Sequence, residues 1–194
     1  MANPLNHPLF DRVSHYINLL NFLVLILTGW FIHSPYPGMP MHLIRNLHFI
    51  FMYSLLINGV VRFYWSFLGK NGDYKDFFLT RGDIKNMIPQ VKYYLFMGKH
   101  PETRKYNPLQ ICAYIAMPIM AVCMAITGAI LYMPQTLGAY SSYVVGLGTV
   151  RLIHYFLMWG FILIIAIHAY LVFTTSLEEF WLMFFGKTEH KKGI

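Results

Sequence analysis

HYFLMWGFILIIAIHAYLVF, residues 154–173, decides how the chain is read. It carries no Asp, Glu, Lys or Arg, and its length matches the roughly 20 apolar residues a helix needs to cross a bilayer core of about 30 Å. Two histidines nevertheless lie in it, His154 and His168. An ionisable group inside a membrane is costly and points to function. Fourteen residues at about 100° each rotate by about 1400°, some 40° short of four turns, so the two share one face, about 21 Å apart along the axis. One helix is thus expected to present two imidazoles to the bundle interior, one near each membrane surface.

The rest of the chain fits that reading. The 194 residues form about one domain. Hydrophobic residues make up 57% and charged ones 12%, against about 25% charged in ordinary soluble domains; mean hydropathy is +0.47. A soluble globule and a disordered chain are both excluded. Four spans are expected: about 16–32, 47–68, 109–133 and 152–173, in a single domain covering 1–194. The fold class is an all-α membrane protein, a four-transmembrane-helix bundle. The polar opening MANPLNHPLFDRVSH lacks a basic n-region and cleavage site, so no signal peptide is expected.

Lysine and arginine orient the bundle. The connection over about 69–107 holds eight, the tail three and the head one, twelve in all on one face. The other face has Arg45 and Arg151, while Arg62 lies inside span two. Both termini are therefore expected in the cytoplasm. The net charge of +7 marks membrane sidedness, and nucleic acid is not an expected partner. Within the connection, DFFLTRGDIKNMIPQVKYYLFM mixes aromatics with charge and is expected to break at Pro89. It reads either as an amphipathic segment at the lipid interface or as a merely positive-inside loop. Cys112 and Cys123 are too far apart on a helix to bridge, and no cysteine cluster for an iron–sulfur centre exists.

Of nine histidines, His7, His100 and His190 lie in polar segments and His33 and His42 at outer span ends. Antiparallel topology then brings His15 to the level of His168 and His48 to the level of His154. Facing imidazoles at one depth are what bis-histidine haem iron requires. A single such histidine is ordinarily a hydrogen-bonded core residue; four paired at two depths by independent spacings are not so explained. The expected cofactors are two haem b, with irons about 20 Å apart.

Arg-x-x-His recurs as Arg12–His15, Arg45–His48 and Arg151–His154. These arginines suit haem propionates near water, as does Arg62, fourteen residues after His48. Ordinary snorkelling explains any one of the first three equally. Gly29, fourteen residues from His15, reads as a point of close porphyrin approach or as a helix-packing glycine. Thr127-Gly128 repeats Thr28-Gly29, but span three has no histidine, and the pair is expected to be a packing wall. Met117, Met120 and Met124 are secondary as axial ligands, since histidine supplies four positions.

At these residues the chain resembles a known family. HYFLMWGFILIIAIHAYLVF is similar to the last-helix signature of the cytochrome b subunits of membrane-bound nickel–iron hydrogenases, and RVSHYINLLNFLVLILTGW to their first helix. Tyr106-Asn107-Pro108-Leu109-Gln110 resembles the entry to span three in the related formate dehydrogenase cytochrome b subunits. The resemblance implies a bacterial or archaeal inner-membrane anchor that takes electrons from an outer iron–sulfur subunit and a hydrogenase-like catalytic subunit. Electrons would pass from the outer haem to the inner one and on to a quinone, menaquinone or ubiquinone. It also implies Asn107 and Gln110, near His168, as quinone contacts. The chain is shorter than the family, with abbreviated outer loops and tail.

Two other readings use the same residues. One is the same anchor serving a formate dehydrogenase, or a stand-alone cytochrome b561-type oxidoreductase between superoxide and quinone. The other is a cofactor-free transporter with histidines in a proton path.

Overall fold

The computed structural model describes residues 9–68, 78–104, 106–138, 146–175 and 177–186. The described elements are helices: α1 (Leu9–His33), α2 (Met41–Leu68), α3 (Arg81–Tyr94), α4 (Pro108–Tyr132), α5 (Gly146–Thr175) and α6 (Leu177–Phe185). Four of them, α1, α2, α4 and α5, are long and apolar enough to cross a membrane. The all-α class and the four spans expected from sequence are therefore observed.

Each spanning helix starts before its apolar run does, by one residue in α4 and by about two turns in α1, α2 and α5. The extension is physical: a helix satisfies its own backbone, so it can continue past the hydrocarbon into the polar interface without cost. Arg12, Arg45 and Arg151 consequently sit on helix, one turn before their histidines. Chain breakers set the ends. Gly38 and Gly146 adopt φ of +85° and +73°, a region open mainly to glycine; Gly38 turns the chain from α1 into α2 and Gly146 opens α5.

The described chain groups into two compact units. One contains the residues up to Tyr64 and from Ile165 onward; the other contains residues 65–164.

In the first unit, α1 shows the packing logic that lipid imposes. Its buried residues are Ser14, Asn21 and Thr28, seven apart, while Leu19, Leu20, Leu23 and Leu27 are exposed. Lipid tails solvate leucine, so the helix interface selects small and polar side chains instead. Ser14 Oγ donates to Asn58 Oδ1 at 3.1 Å. Asn58 Nδ2 donates to the Ser14 carbonyl at 3.0 Å and to Asn18 Oδ1 at 2.7 Å. One asparagine of α2 thus holds two turns of α1.

In the second unit, α3 does not break at Pro89, which lies within the helix. The proline forfeits one bond to the Lys85 carbonyl, but the N-terminus is secured. Thr80 and Asp83 form a reciprocal capping box. Arg104 Nη2 lies 2.6 Å from Asp83 Oδ2 and 2.9 Å from the Phe78 carbonyl. The helix buries Asp83 and Gln90 and leaves Ile84, Ile88, Val91 and Leu95 exposed. An apolar stripe facing outward, flanked by Lys85 and Lys92, is the pattern of an interfacial helix. The next helix, α4, is capped by Asn107 and Gln110, with Pro108 in its first turn.

The short helix α6 was not expected from sequence, which ended the fourth span near residue 173. Its nine residues, LEEFWLMFF, are too few to show a helical period clearly beside a long span.

Two tests follow from these contacts. Asn58→Leu removes three hydrogen bonds between α1 and α2, each worth roughly 0.6–1.7 kcal/mol in a membrane. The detergent-solubilised variant is expected to unfold at a lower temperature than the parent. The Thr80 hydroxyl, then the Thr80 N–H and Arg104, hold the Asp83 carboxyl below its ordinary value of 3.8 against the opposing pull of burial. Its contribution to stability is therefore present at neutral pH and lost as pH falls through the lowered value. Amide exchange in α3 should speed up below about pH 4, and Asp83→Asn should remove that dependence.

Candidate functional site

The four span histidines lie on three helices: His15 on α1, His48 on α2, and His154 and His168 on α5. The last helix is continuous over Gly146–Thr175, which preserves the fourteen-residue spacing on one face. His15, His48 and His154 are half-buried and His168 is exposed.

Within the first unit His15 and His168 come together, their ring centroids 6.2 Å apart and their planes at 57°. A direct N–H···N bond of about 3 Å would put the centroids only about 5 Å apart. Two in-line metal–imidazole bonds of about 2 Å, each with about 1 Å from nitrogen to ring centre, would put them about 6 Å apart. The observed spacing is wider than the first arrangement and leaves room for the second. Two imidazoles occupy two positions of a six-coordinate iron, and the other four must arrive with the metal, as they do in a porphyrin. The donor pair therefore fits haem.

His48 is held in the same unit by Thr28, whose Oγ1 lies 2.9 Å from His48 Nδ1. The same hydroxyl donates to the Val24 carbonyl at 2.6 Å. In the second unit the arrangement recurs: Thr127 Oγ1 lies 2.8 Å from His154 Nδ1 and donates to the Cys123 carbonyl at 2.7 Å. Gly128 adjoins the same ring, since a Cβ there would stand 3.3 Å from His154 Cε1. The expectation that Thr127-Gly128 is a packing wall is thus corrected. The pair holds a histidine of the following span, and the repeated Thr-Gly dipeptide was the signal that could have revealed it. Met120 packs its methyl over Gly160, where a Cβ would come within 2.7 Å.

Arg12, expected to serve a haem propionate, contacts the end of α6 in the described structure. Its Nε donates to the Met183 carbonyl at 2.9 Å and its Nη2 to the Phe184 carbonyl at 3.1 Å, while Tyr16 Oη donates to Met183 at 2.8 Å. These carbonyls end α6, where a cation is favoured by the helix dipole. Gly186, at φ +70°, lets the guanidinium approach, and any Cβ there would collide with it. Arg62 Nε lies 3.9 Å from Asp11 Oδ1. Arg45 and Arg151 are exposed, and Gly29 is half-buried.

Asn107 and Gln110 form the α4 capping box. Asn107 Oδ1 accepts from the Gln110 N–H at 2.9 Å, and Gln110 Oε1 accepts from the Asn107 N–H at 3.0 Å. Asn107 Nδ2 donates to Tyr94 Oη at 2.6 Å. Burial raises the Tyr94 phenol above its ordinary value of 10.0, with the amides of Gln90 and Asn107 opposing it. The phenol stays protonated at neutral pH.

Residues 6–186 match the family model described as prokaryotic cytochrome b561. The chain belongs to this family. It is 34% identical over 186 residues to a probable Ni/Fe-hydrogenase B-type cytochrome subunit of Azotobacter chroococcum mcd 1, covering 82% of this chain and 76% of the relative. The corresponding protein of Azotobacter vinelandii is 33% identical with the same coverage. A probable Ni/Fe-hydrogenase 1 B-type cytochrome subunit of Escherichia coli (strain K12) is 28% identical over 145 residues, 67% of this chain and 62% of that one. As a member of the cytochrome b561 family the chain is a multi-pass membrane b-type cytochrome, and the imidazole pair is the chemistry that b-type haem binding calls for.

In this cytochrome the contacts of Arg12 are testable without any cofactor measurement. Gly186→Ala is expected to push Arg12 off the α6 carbonyls. Protease cleavage near residue 186 should then become several-fold faster, and Arg12→Ala should match it.

Proposed function

We propose that the chain is the di-haem membrane anchor of a hydrogenase-type complex. It would pass electrons from an iron–sulfur and catalytic partner outside the membrane to a quinone at the cytoplasmic face. The naming of its relatives as Ni/Fe-hydrogenase cytochrome subunits supports the partner. The observation that carries the reading is the His15–His168 pair at 6.2 Å.

Haem b, when bound, supplies reversible one-electron chemistry. The chain's residues bind and orient it. His15 and His168 would hold the iron of the inner haem, and His48 and His154, each on its own helix spacing, would hold that of the other. Arg45 and Arg151, each one turn nearer water than its histidine, are the carboxylate partners. Arg62 and Gly29 are assigned to the same two sites by their fourteen-residue offsets from His48 and His15. Arg12 contributes by fastening α6 beside α1 and so fixing the turn that carries His15.

Quinone is assigned to the neighbourhood of Asn107 and Gln110. Capping uses the Gln110 oxygen, which leaves the amide Nε2 outside the box as a donor suited to a quinone carbonyl. The exposed stripe of α3 would lie in the cytoplasmic leaflet of a bacterial or archaeal inner membrane, with both termini on that side, as the twelve basic residues suggest.

Haem content tests the proposal. Purified protein should hold two haems per chain. His15→Ala or His168→Ala should each lose one, and His48→Ala or His154→Ala the other. A single haem in the parent, or full content after His168→Ala, would overturn it. Co-purification with iron–sulfur and catalytic subunits separates the anchor role from a stand-alone oxidoreductase.

A further inference from the structure

The cap that Asn107 forms fixes the orientation of its amide. Oδ1 accepts from the Gln110 N–H at 2.9 Å, so the end that meets Tyr94 Oη at 2.6 Å is Nδ2. An amide nitrogen only donates, and the phenol oxygen is therefore the acceptor of that bond. The phenol has one proton of its own, and none of the described residues accepts it. Gln90 stands one turn earlier on α3 and is 0% exposed. Among the described residues neither its Oε1 nor its Nε2 makes a hydrogen bond; the amide is close enough to favour ionisation of the phenol but is not aligned to bond it. A buried amide left unpaired is costly and points to a polar partner from outside the chain. Gln90 and Asn107 are buried and Tyr94 is half-buried, so the phenol is the member of this cluster that a ligand can reach.

We propose that Tyr94 is a quinone contact whose hydroxyl donates to a quinone carbonyl, that the Gln90 amide offers the same ligand a second donor, and that Asn107 is a positioning residue acting through the phenol. This rests on the assignment of quinone to the neighbourhood of Asn107 and Gln110. The chemistry suits an uncharged acceptor: two amides and a phenol carry no net charge, and a carbonyl oxygen has two lone pairs to receive them. Burial keeps the phenol protonated at neutral pH, so the contact binds and polarises the carbonyl while Tyr94 keeps its proton. All the groups involved lie on α3 or at the start of α4, two helices that pack against each other.

The test is infrared difference spectroscopy of the haem-loaded protein in lipid vesicles, with a short-chain ubiquinone and separately with menadione, each isotope-labelled at its carbonyls. A carbonyl that accepts a hydrogen bond absorbs at lower frequency. Tyr94→Phe keeps the ring and removes the donor. It is expected to raise the carbonyl frequency and to raise the Kd about 2–10-fold, the loss of one neutral hydrogen bond. Asn107→Asp keeps the α4 cap, because a carboxylate oxygen also accepts from the Gln110 N–H. It turns an acceptor instead of a donor toward Tyr94, and the phenol proton is drawn away from the ligand. The same shift and the same Kd are expected, and the double variant should lose no more than either single one.

A quinone bound by the parent whose carbonyl frequency is unmoved in Tyr94→Phe would overturn the proposal and leave the site assignment standing. Additive losses in the double variant would also overturn it, since Asn107 would then act on quinone directly. Should Tyr94→Phe fail to accumulate, Asn107→Asp carries the comparison, and an unmoved carbonyl there is equally fatal. A parent that binds neither quinone would instead overturn the site assignment itself.

Discussion

An imidazole placed in hydrocarbon has two ring nitrogens that need partners, and the bilayer offers none. Much of the structure is the consequence. His48 and His154 each meet a threonine from the preceding spanning helix, and His15 and His168 meet one another. A threonine suits the task in a way leucine or asparagine does not. Its hydroxyl satisfies itself on its own helix and keeps a lone pair for the histidine, so no unpaired donor is carried into the membrane.

The same constraint orders the rest of α1. Ser14, Asn21 and Thr28 face inward at heptad spacing while the leucines face out, the reverse of a water-soluble helix. In lipid, burying leucine against protein gains little over leaving it among acyl chains, and close contact and hydrogen bonds decide which faces meet. Asn58 is the clearest case: three bonds from one amide align α2 with the turns of α1 next to His15. Outside the apolar core the ordinary rules return, and the ends of α3 and α4 are closed by capping boxes whose members lie only three residues apart.

That division explains what the sequence could disclose. Spans, their count and the histidine spacing depend on composition and helix rise alone, and all are legible. The expected spans start up to two turns inside their helices, because hydropathy records where lipid stops and not where the backbone stops bonding. Pro89 reads as a break under a local rule that takes no account of the Thr80, Asp83 and Arg104 contacts that secure the helix before it. The partner of Arg12 lies some 170 residues away on a helix too short to announce itself, and no local pattern encodes such a contact. Thr127 is intermediate. Its dipeptide repeat was visible, but its role depends on which helix packs beside it.

The duplicated Thr–His contact also bears on what kind of protein uses these histidines. A chain that relays protons needs an imidazole able to bind and release on both nitrogens. The threonine hydroxyl engages one ring nitrogen of its histidine and bonds a carbonyl of its own helix as well, so that nitrogen is not open to a relay through both. A metal ligand needs only the other nitrogen. Together with the 6.2 Å separation of His15 and His168, wider than a direct hydrogen bond permits, the contact favours electron transfer through a bound metal over a cofactor-free proton path.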